Sequence, residues 1–410
     1  MSVIWNAINQ VRSQSEFFMK ILFYRYNSII EPDILAVFRE MGIDVIEYRR
    51  EMTEKNLSMQ ERVMETGNFL LDHPVDAVFS INFYPFLSEI CNIFKLRYCS
   101  WTVDSPVMEL YTTSIKNPWN RTFLFDMDQY RRFHPLNENC IFYLPLGART
   151  APKDDLFSKT AESEKAKYSH DIAFVGSLYK EKNRYEEATG LPSETKGYLD
   201  GIMRAQELIY GYYFIPDLLD DEIVAVFKSH VKKFYTLPVG SYLSDRDTMA
   251  YLYMGCQISM MERVDTFKRL SKKFPVTIYT GSDTKDIPDI ENKGLASTFK
   301  EMPLIFHESK INLNITSKSI TSGLPLRIFD ILSCGGFLIS NYQSEIAELL
   351  TPGEDLVVYE SQDQLEDLIA YYLSHDRERK EIAAHGRETL IKKYSLEHQL
   401  ALLIKMSFSI

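Results

Sequence analysis

Four short stretches of this sequence carry residues able to do chemistry. The first is Ser322-Gly323-Leu324-Pro325, which runs into an apolar-periodic segment bearing Arg327 and Asp330. A glycine-containing loop at a helix start turns unpaired N–H groups and the positive dipole end toward its ligand, which suits a phosphate. Arg327, in the first turn, adds a two-pronged phosphate contact, and Asp330, one turn on, reaches a vicinal diol such as a ribose. The second stretch is Gly176-Ser177, where a turn can come close to a ligand, followed by Lys180, Lys182 and Arg184. Thr280-Gly281-Ser282-Asp283, the third, ends a strand with turn chemistry. The fourth is Asp104, before Ser105-Pro106. A carboxylate there can take the proton of a hydroxyl, or simply cap the turn before Pro106. The plainer use of the other three is loop punctuation and a solvated charge run.

The elements that hold these stretches alternate. In the second half, Ile311, Leu313 and Ile315 have the period of a strand. Pro325 suits the first turn of a helix, Leu326, Phe329, Ile331 and Leu332 give it an apolar side, and Gly335-Gly336 ends it. A strand over 337–340, a helix over 344–350, a turn at Pro352-Gly353 and a strand over 356–359 follow. In the first half, strands are expected at 21–25, 45–48, 77–81, 97–103, 122–125 and 141–144, with helices at 32–41, 59–71 and 86–94 and an amphipathic arm at 3–19. Strand–helix alternation means parallel sheets wrapped by helices, whose ligands sit beyond the carboxyl ends of the strands. In the first half those ends carry Tyr26-Asn27-Ser28, Asn82-Phe83-Tyr84 and Asp104-Ser105-Pro106.

The runs "GLPLRIFDILSCGGFLIS", "LLTPGEDLVVYES" and "AAHGRETLIKKYS" resemble the C-terminal domain of group-1 glycosyltransferases of the GT-B fold, with the CgeB-like branch the best match. "SWTVDSP", "FLFDMDQY" and "FYLPLGA" resemble the N-terminal domain paired with it. The resemblance implies an α/β chain of two Rossmann-like domains: an N-terminal, acceptor-side domain over 1–150, a linker over 151–169, and a nucleotide-sugar-binding domain over 170–395. A helical insert about 194–273, read as helices at 198–210, 217–234 and 245–274, departs from the minimal unit. The helix from 396 to 410 returns to the first domain. The implied activity is metal-independent transfer of a sugar from a nucleotide-diphosphate donor to an unidentified glycan, protein or small-molecule acceptor. Asp330, where the family more often has Glu, holds the ribose. The Thr280 loop borders the base. The amides near Ser322, Gly323 and Leu324, with Arg327 and one of Lys180, Lys182 and Arg184, take the leaving diphosphate. Asp104 is the base if the reaction inverts. A non-catalytic nucleotide-sugar- or glycan-binding protein and an epimerase-like enzyme on the same fold are the alternatives.

Composition sets the outer limits. A net charge of −11 argues against a nucleic-acid partner. Five cysteines without metal-ligand spacing read as reduced thiols. No apolar run is long enough to span a bilayer, and the first twenty residues are too polar for a signal peptide, so the expectation is a cytoplasmic protein. No cofactor is expected beyond the nucleotide sugar as co-substrate. Asp126-Met127-Asp128 imitates a metal-binding DxD but ends a strand of the wrong architecture, so no metal is expected. His134 reads as a loop residue, and His307 and Glu308 as an exposed helix face or pocket lining.

Overall fold

The computed structural model describes residues 19–54, 56–237 and 240–408. The arm expected over 3–19 lies, except for Met19, outside them. The chain forms two compact units. The first runs to Arg149 and takes in Leu237–Tyr242 and the chain from Tyr394. The second comprises Thr150–Thr236 and Leu243–Lys393.

The first unit is built on six strands: β1 (Lys20–Tyr24), β2 (Asp44–Tyr48), β3 (Ala77–Ile81), β4 (Arg97–Trp101), β5 (Asn120–Leu124) and β6 (Ile141–Tyr143). They lie in the order β2-β1-β3-β4-β5-β6, every pair parallel. β3 is buried throughout, as both faces of such a sheet are covered. Local chemistry starts and stops the helices between strands. Ser58 and Glu61 form a capping box at the head of Met59–Asp72, and Gly42, at φ +79°, lets the chain leave Glu31–Glu40. The final helix, Leu396–Phe408, also belongs here. Gln399 donates to the Pro145 carbonyl, Arg97 lies over the Phe408 ring, and Arg149 is shared by Glu40 and Glu397.

The second unit holds β7 (Ile172–Val175), β8 (Val276–Tyr279), β9 (Glu291–Asn292), β10 (Ile311–Asn314), β11 (Leu338–Asn341) and β12 (Val357–Tyr359). The order is β12-β11-β10-β7-β8-β9, again all parallel. β9 is two exposed polar residues and has no sequence signature. The stretch 150–169 folds with this unit: Ala151–Lys159 is a helix whose Lys153 faces Asp330 and whose Asp154 meets Arg387.

The insert forms helices Ser193–Glu207 and Asp221–Ser229. A third helical run from Asp245 passes through a π-helical stretch, Thr248–Met254, into Gly255–Leu270. That last helix returns the chain to β8.

Pro325 sits one residue earlier than expected, at the N-cap of Leu326–Ser333 with extended ψ. Ile328, Phe329, Ile331 and Leu332 are buried there, each contributing about 1.5–3 kcal/mol. The helix ends in a Schellman motif, with Gly335 at φ +68°, its N–H on Leu332 and that of Gly336 on Ile331. The helix expected over 344–350 is only Ile346–Leu349, because Gln343 and Glu345 instead hold the loop before Pro325.

Gly386 marks the closest approach of the Asp376–Lys393 helix to the sheet-end turn. A Cβ there would stand 2.2 Å from the Asp355 carbonyl oxygen and 2.8 Å from Leu332. Gly386→Ala is therefore expected to destabilise the fold by roughly 1–3 kcal/mol, read as a lower urea midpoint. An unchanged midpoint refutes the close-packing account.

Candidate functional site

In a doubly wound sheet the ligand crevice opens where successive connections leave in opposite directions. In the second unit this point lies between β7 and β10, since β8 and β9 follow on one side and β11 and β12 on the other.

The side chain that occupies this point is Arg263, from the Gly255–Leu270 helix. Its guanidinium donates to the Ser177 carbonyl just past β7 and to the Ile315 carbonyl just past β10. Arg263 is only 9% exposed, its Nε finds no acceptor, and it makes no ion pair among the described residues. A buried guanidinium with no carboxylate in direct contact and a donor to spare is costly, the charge of Glu262 acting on it only from a distance. An anionic ligand would satisfy both. Sequence reasoning missed this residue. The signal available was Glu262-Arg263 between Met260-Met261 and Val264, where charges interrupt an apolar stretch.

Tyr179 carries the arrangement further. Its ring centroid lies 4.6 Å from the Arg263 Cζ and 5.7 Å from the Lys182 Nζ, so two cations share one aromatic ring. The backbone is left-handed there, φ +66°, a costly conformation for a bulky residue. Tyr179 N–H bonds to the Ser177 hydroxyl, which helps to hold this turn. Gly176 is equally constrained: a Cβ would come within 3.1 Å of the Phe174 ring, which lies 5.4 Å from the Arg263 Cζ.

The three basic candidates after this turn are now distinct. Lys180 is paired with Asp286 and Arg184 with Glu187. Lys182 makes no ion pair among the described residues. The Ser177 and Ser282 hydroxyls both donate to Glu181, one to each carboxylate oxygen, and Ser282 also accepts from the Leu178 N–H. These two hydroxyls therefore build the strand-end loops. Thr280 is buried with its hydroxyl accepting from Ser282 N–H, Asp283 accepts from Lys285 N–H, and Gly281 lies against Leu295.

At the Leu326–Ser333 helix, Ser322, Gly323 and Leu324 are buried, and the Ser322 hydroxyl donates to Glu345, itself 2% exposed. Arg327 lies over Phe306 and 3.4 Å from Asp330. Burial pushes its guanidinium down from the usual arginine range, Asp330 opposes this, and the charge of Arg263 adds to it. The two arginines thus feel each other across the crevice. Asp330 is also 3.8 Å from Lys153, so its carboxylate already has two cations. His307 donates its Nδ1–H to the Cys334 carbonyl and stacks on Phe157, tying helices together.

In the first unit the corresponding point lies between β1 and β3. The sequence placed Tyr26, Asn82 and Asp104 at three separate strand ends, and the fold brings them into one cluster. The Asn82 amide nitrogen donates to Asp104 at 2.7 Å and to the Tyr26 hydroxyl at 3.2 Å, while its carbonyl takes the Val103 N–H. Asp104 is exposed. Its observed bond is to Asn82, not to the turn before Pro106. Glu31 shapes the loop, accepting from the N–H groups of Tyr26 and Asn27. Asp126 spends its oxygens on the N–H groups of Asp128 and Gln129 and on the Ser105 hydroxyl, a helix cap. His134 bonds to the Ile141 carbonyl. Among the described residues no group of three or more His, Cys, Asp or Glu side chains is placed to hold a metal ion, and no helix is long and apolar enough to cross a membrane.

Two six-stranded parallel sheets flanked by helices, with the last helix returned to the first unit, make the two-domain α/β architecture of GT-B glycosyltransferases. A family model described as glycosyl transferase-like matches residues 263–405. Among solved structures, the chain is similar to HepE of Anabaena in complex with UDP, with 9% identity, 96% of this chain and 100% of that one covered, and a TM-score of 0.56. It is similar to a glycosyltransferase from Rickettsia africae at 11% identity, covering 96% and 98%, with a TM-score of 0.54. A sucrose-phosphate synthase from Thermosynechococcus elongatus matches at 8% identity, covering 95% and 98%, with the same score. No curated protein matches by sequence.

Proposed function

We propose that this protein transfers a sugar from a nucleotide-diphosphate donor to an acceptor, and that it belongs to the CgeB-like branch its Gly323–Ser340 run resembles. The observation that carries the reading is Arg263, buried at the crevice of the second unit with no ion-pair partner among the described residues and a donor to spare. The donor diphosphate is the anion that completes it. Lys182 and Arg327 add charge, and the N-terminus of the Leu326–Ser333 helix adds backbone dipoles. As the bond from the sugar to the diphosphate breaks, negative charge grows on the leaving group, and fixed cations in a dry crevice stabilise it best. In this reading protein cations, not a metal, do so. Asp330 takes the ribose, and Asp104 takes the proton of the acceptor hydroxyl. The bound UDP of the Anabaena structure supports a nucleotide in this architecture. The five free cysteines suit a reducing cytoplasm.

The test is thermal stabilisation of the purified chain by a panel of nucleotides and nucleotide sugars, since binding to the folded state alone raises the melting temperature. A shift with one nucleotide that vanishes in Asp330→Ala supports the donor site. No shift with any of them at millimolar concentration removes the reading. A shift with no sugar transferred to any acceptor or to water moves the assignment to a non-catalytic binder.

The ion pairs rank the three basic side chains. Lys182→Ala is expected to weaken nucleoside-diphosphate affinity by roughly tenfold, the worth of one charged contact. Lys180→Ala and Arg184→Ala should each change it less than threefold. Calorimetric titration decides, and equal losses in all three variants would refute the ranking.

A further inference from the structure

Arg263 is not the only hold that the helical insert has on the chain leaving β10. Lys318 follows that strand, and its side chain, 6% exposed, is sunk into the insert. The ammonium donates to the carbonyls of Glu207 at 3.4 Å and Ile209 at 3.2 Å, near the end of Ser193–Glu207 where the helix dipole is negative. It lies 3.8 Å from the Tyr210 ring centroid and 3.4 Å from a carboxylate oxygen of the fully buried Glu262. Burial pushes the Glu262 carboxyl up, and the charge of Lys318 opposes this. Lysine is almost never buried so far unless it is paired, and these four partners all belong to the insert. The backbone is fastened beside it. Ser259 donates to the Gly255 carbonyl and accepts from the Lys318 N–H and the Ser317 hydroxyl. Glu262 and Arg263, adjacent on one helix, therefore grip the chain after β10 in two ways, the anion through the Lys318 charge and the cation through the Ile315 carbonyl. Beyond Lys318, the Ile320 N–H closes a turn on the Ser317 carbonyl, and the chain runs on to Ser322, Gly323 and Leu324 without helix or strand. Gln343, past β11, donates to the Ile320 carbonyl from the other side.

We infer that the insert is the anchor of the donor loop and that Lys318 is its positioning residue, a reading that rests on the donor site proposed above. Lys318 does not touch the diphosphate. It fixes the turn from which the amides of Ser322, Gly323 and Leu324 are presented, in register with Arg263 on the helix that also holds Lys318. A loop that had to be ordered at each binding event would lose affinity to that ordering, and the insert orders it beforehand. The insert thus acts on the phosphate end of the donor, through backbone geometry, and not on its base.

The experiment titrates the full chain by calorimetry with ADP, GDP, UDP and CDP and with the matching nucleosides. Lys318→Met is expected to weaken the diphosphate that binds the parent by about tenfold and to leave its nucleoside within twofold. The variant strands the buried Glu262 charge, so its melting temperature should fall as well. Glu262→Met combined with Lys318→Met takes away both charges and leaves the net charge of the chain unchanged. This double variant should recover most of the melting temperature but not the diphosphate affinity, because the ammonium that ties the loop to the insert is gone. It also carries the test if the single variant does not fold. Parental diphosphate affinity in Lys318→Met, an equal loss for the nucleoside, or a double variant that recovers affinity together with stability overturns the inference. If no diphosphate binds the unmodified chain, the donor reading fails and this one with it; if one binds and the variants bind it equally, only the anchoring role fails.

Discussion

Arg263→Met is expected to weaken binding of the stabilising nucleoside diphosphate by about a hundredfold, the largest change in affinity from any single substitution in the second unit. Hydrogen bonds to charged groups contribute about 1.5–3 kcal/mol, and Arg263 brings both a charge and a donor with no protein acceptor. Methionine retains much of the volume among Phe174 and Tyr179, whose rings the guanidinium now lies over. The Ser177 and Ile315 carbonyls lose their partner, so some stability is lost as well. Three measurements separate these effects. The nucleoside without phosphates should bind the variant as it binds the parent. Arg263→Lys, which keeps the charge and loses the fork, should fall between them. Melting temperature reports the stability cost independently. A folded Arg263→Met that binds diphosphates with parental affinity sinks the anion-site assignment.

Asp104→Asn should have the largest effect on turnover. General-base catalysis contributes typically 10²–10⁴-fold, so kcat is expected to fall by about a thousandfold. The substitution is nearly isosteric, and the new amide oxygen still accepts from Asn82, so the cluster and the fold remain. Donor affinity, measured by titration, should not change. Single-turnover transfer with saturating acceptor is the measurement. A variant within fivefold of the parent rate means that no base from this position takes part, and leaves Asp104 as a binding group.

Much of the fold was legible because buried parallel strands are short apolar runs. KILFY and AVFSI stand out in this way, INLN by its alternation instead, and each is a strand. β9 was not legible, since Glu291–Asn292 is held only by its pairing to β8 and has no apolar period. Among the site residues, those next to strand ends could be placed from local pattern alone: Tyr26, Asn82 and Asp104 in one unit, Ser177 and Thr280 in the other. What local pattern cannot supply is what each side chain meets. Nothing in the run from Lys180 to Arg184 says that Asp286 and Glu187 engage the outer two and leave Lys182. Nor does a helix distant in sequence announce that its Arg263 will reach the seam between β7 and β10. Asp330 sits on the expected helix, yet Lys153, in a stretch that reads as a linker, faces it. These are long-range pairings, and one sequence carries no trace of them.

Glu181 joins the loops after β7 and β8 through one carboxylate. Burial pushes its carboxyl up, but the hydroxyls of Ser177 and Ser282 overcome that and hold it below the usual glutamate range. A group so lowered stabilises the fold above its unfolded value and stops doing so only as pH falls through the lower, folded one. Acid therefore loosens the tie that this exposed carboxylate makes between the two loops, while the Leu178 N–H on the Ser282 hydroxyl, which does not titrate over this range, keeps them in contact. A ligand that binds only while that tie is made would in turn make it harder to release with acid.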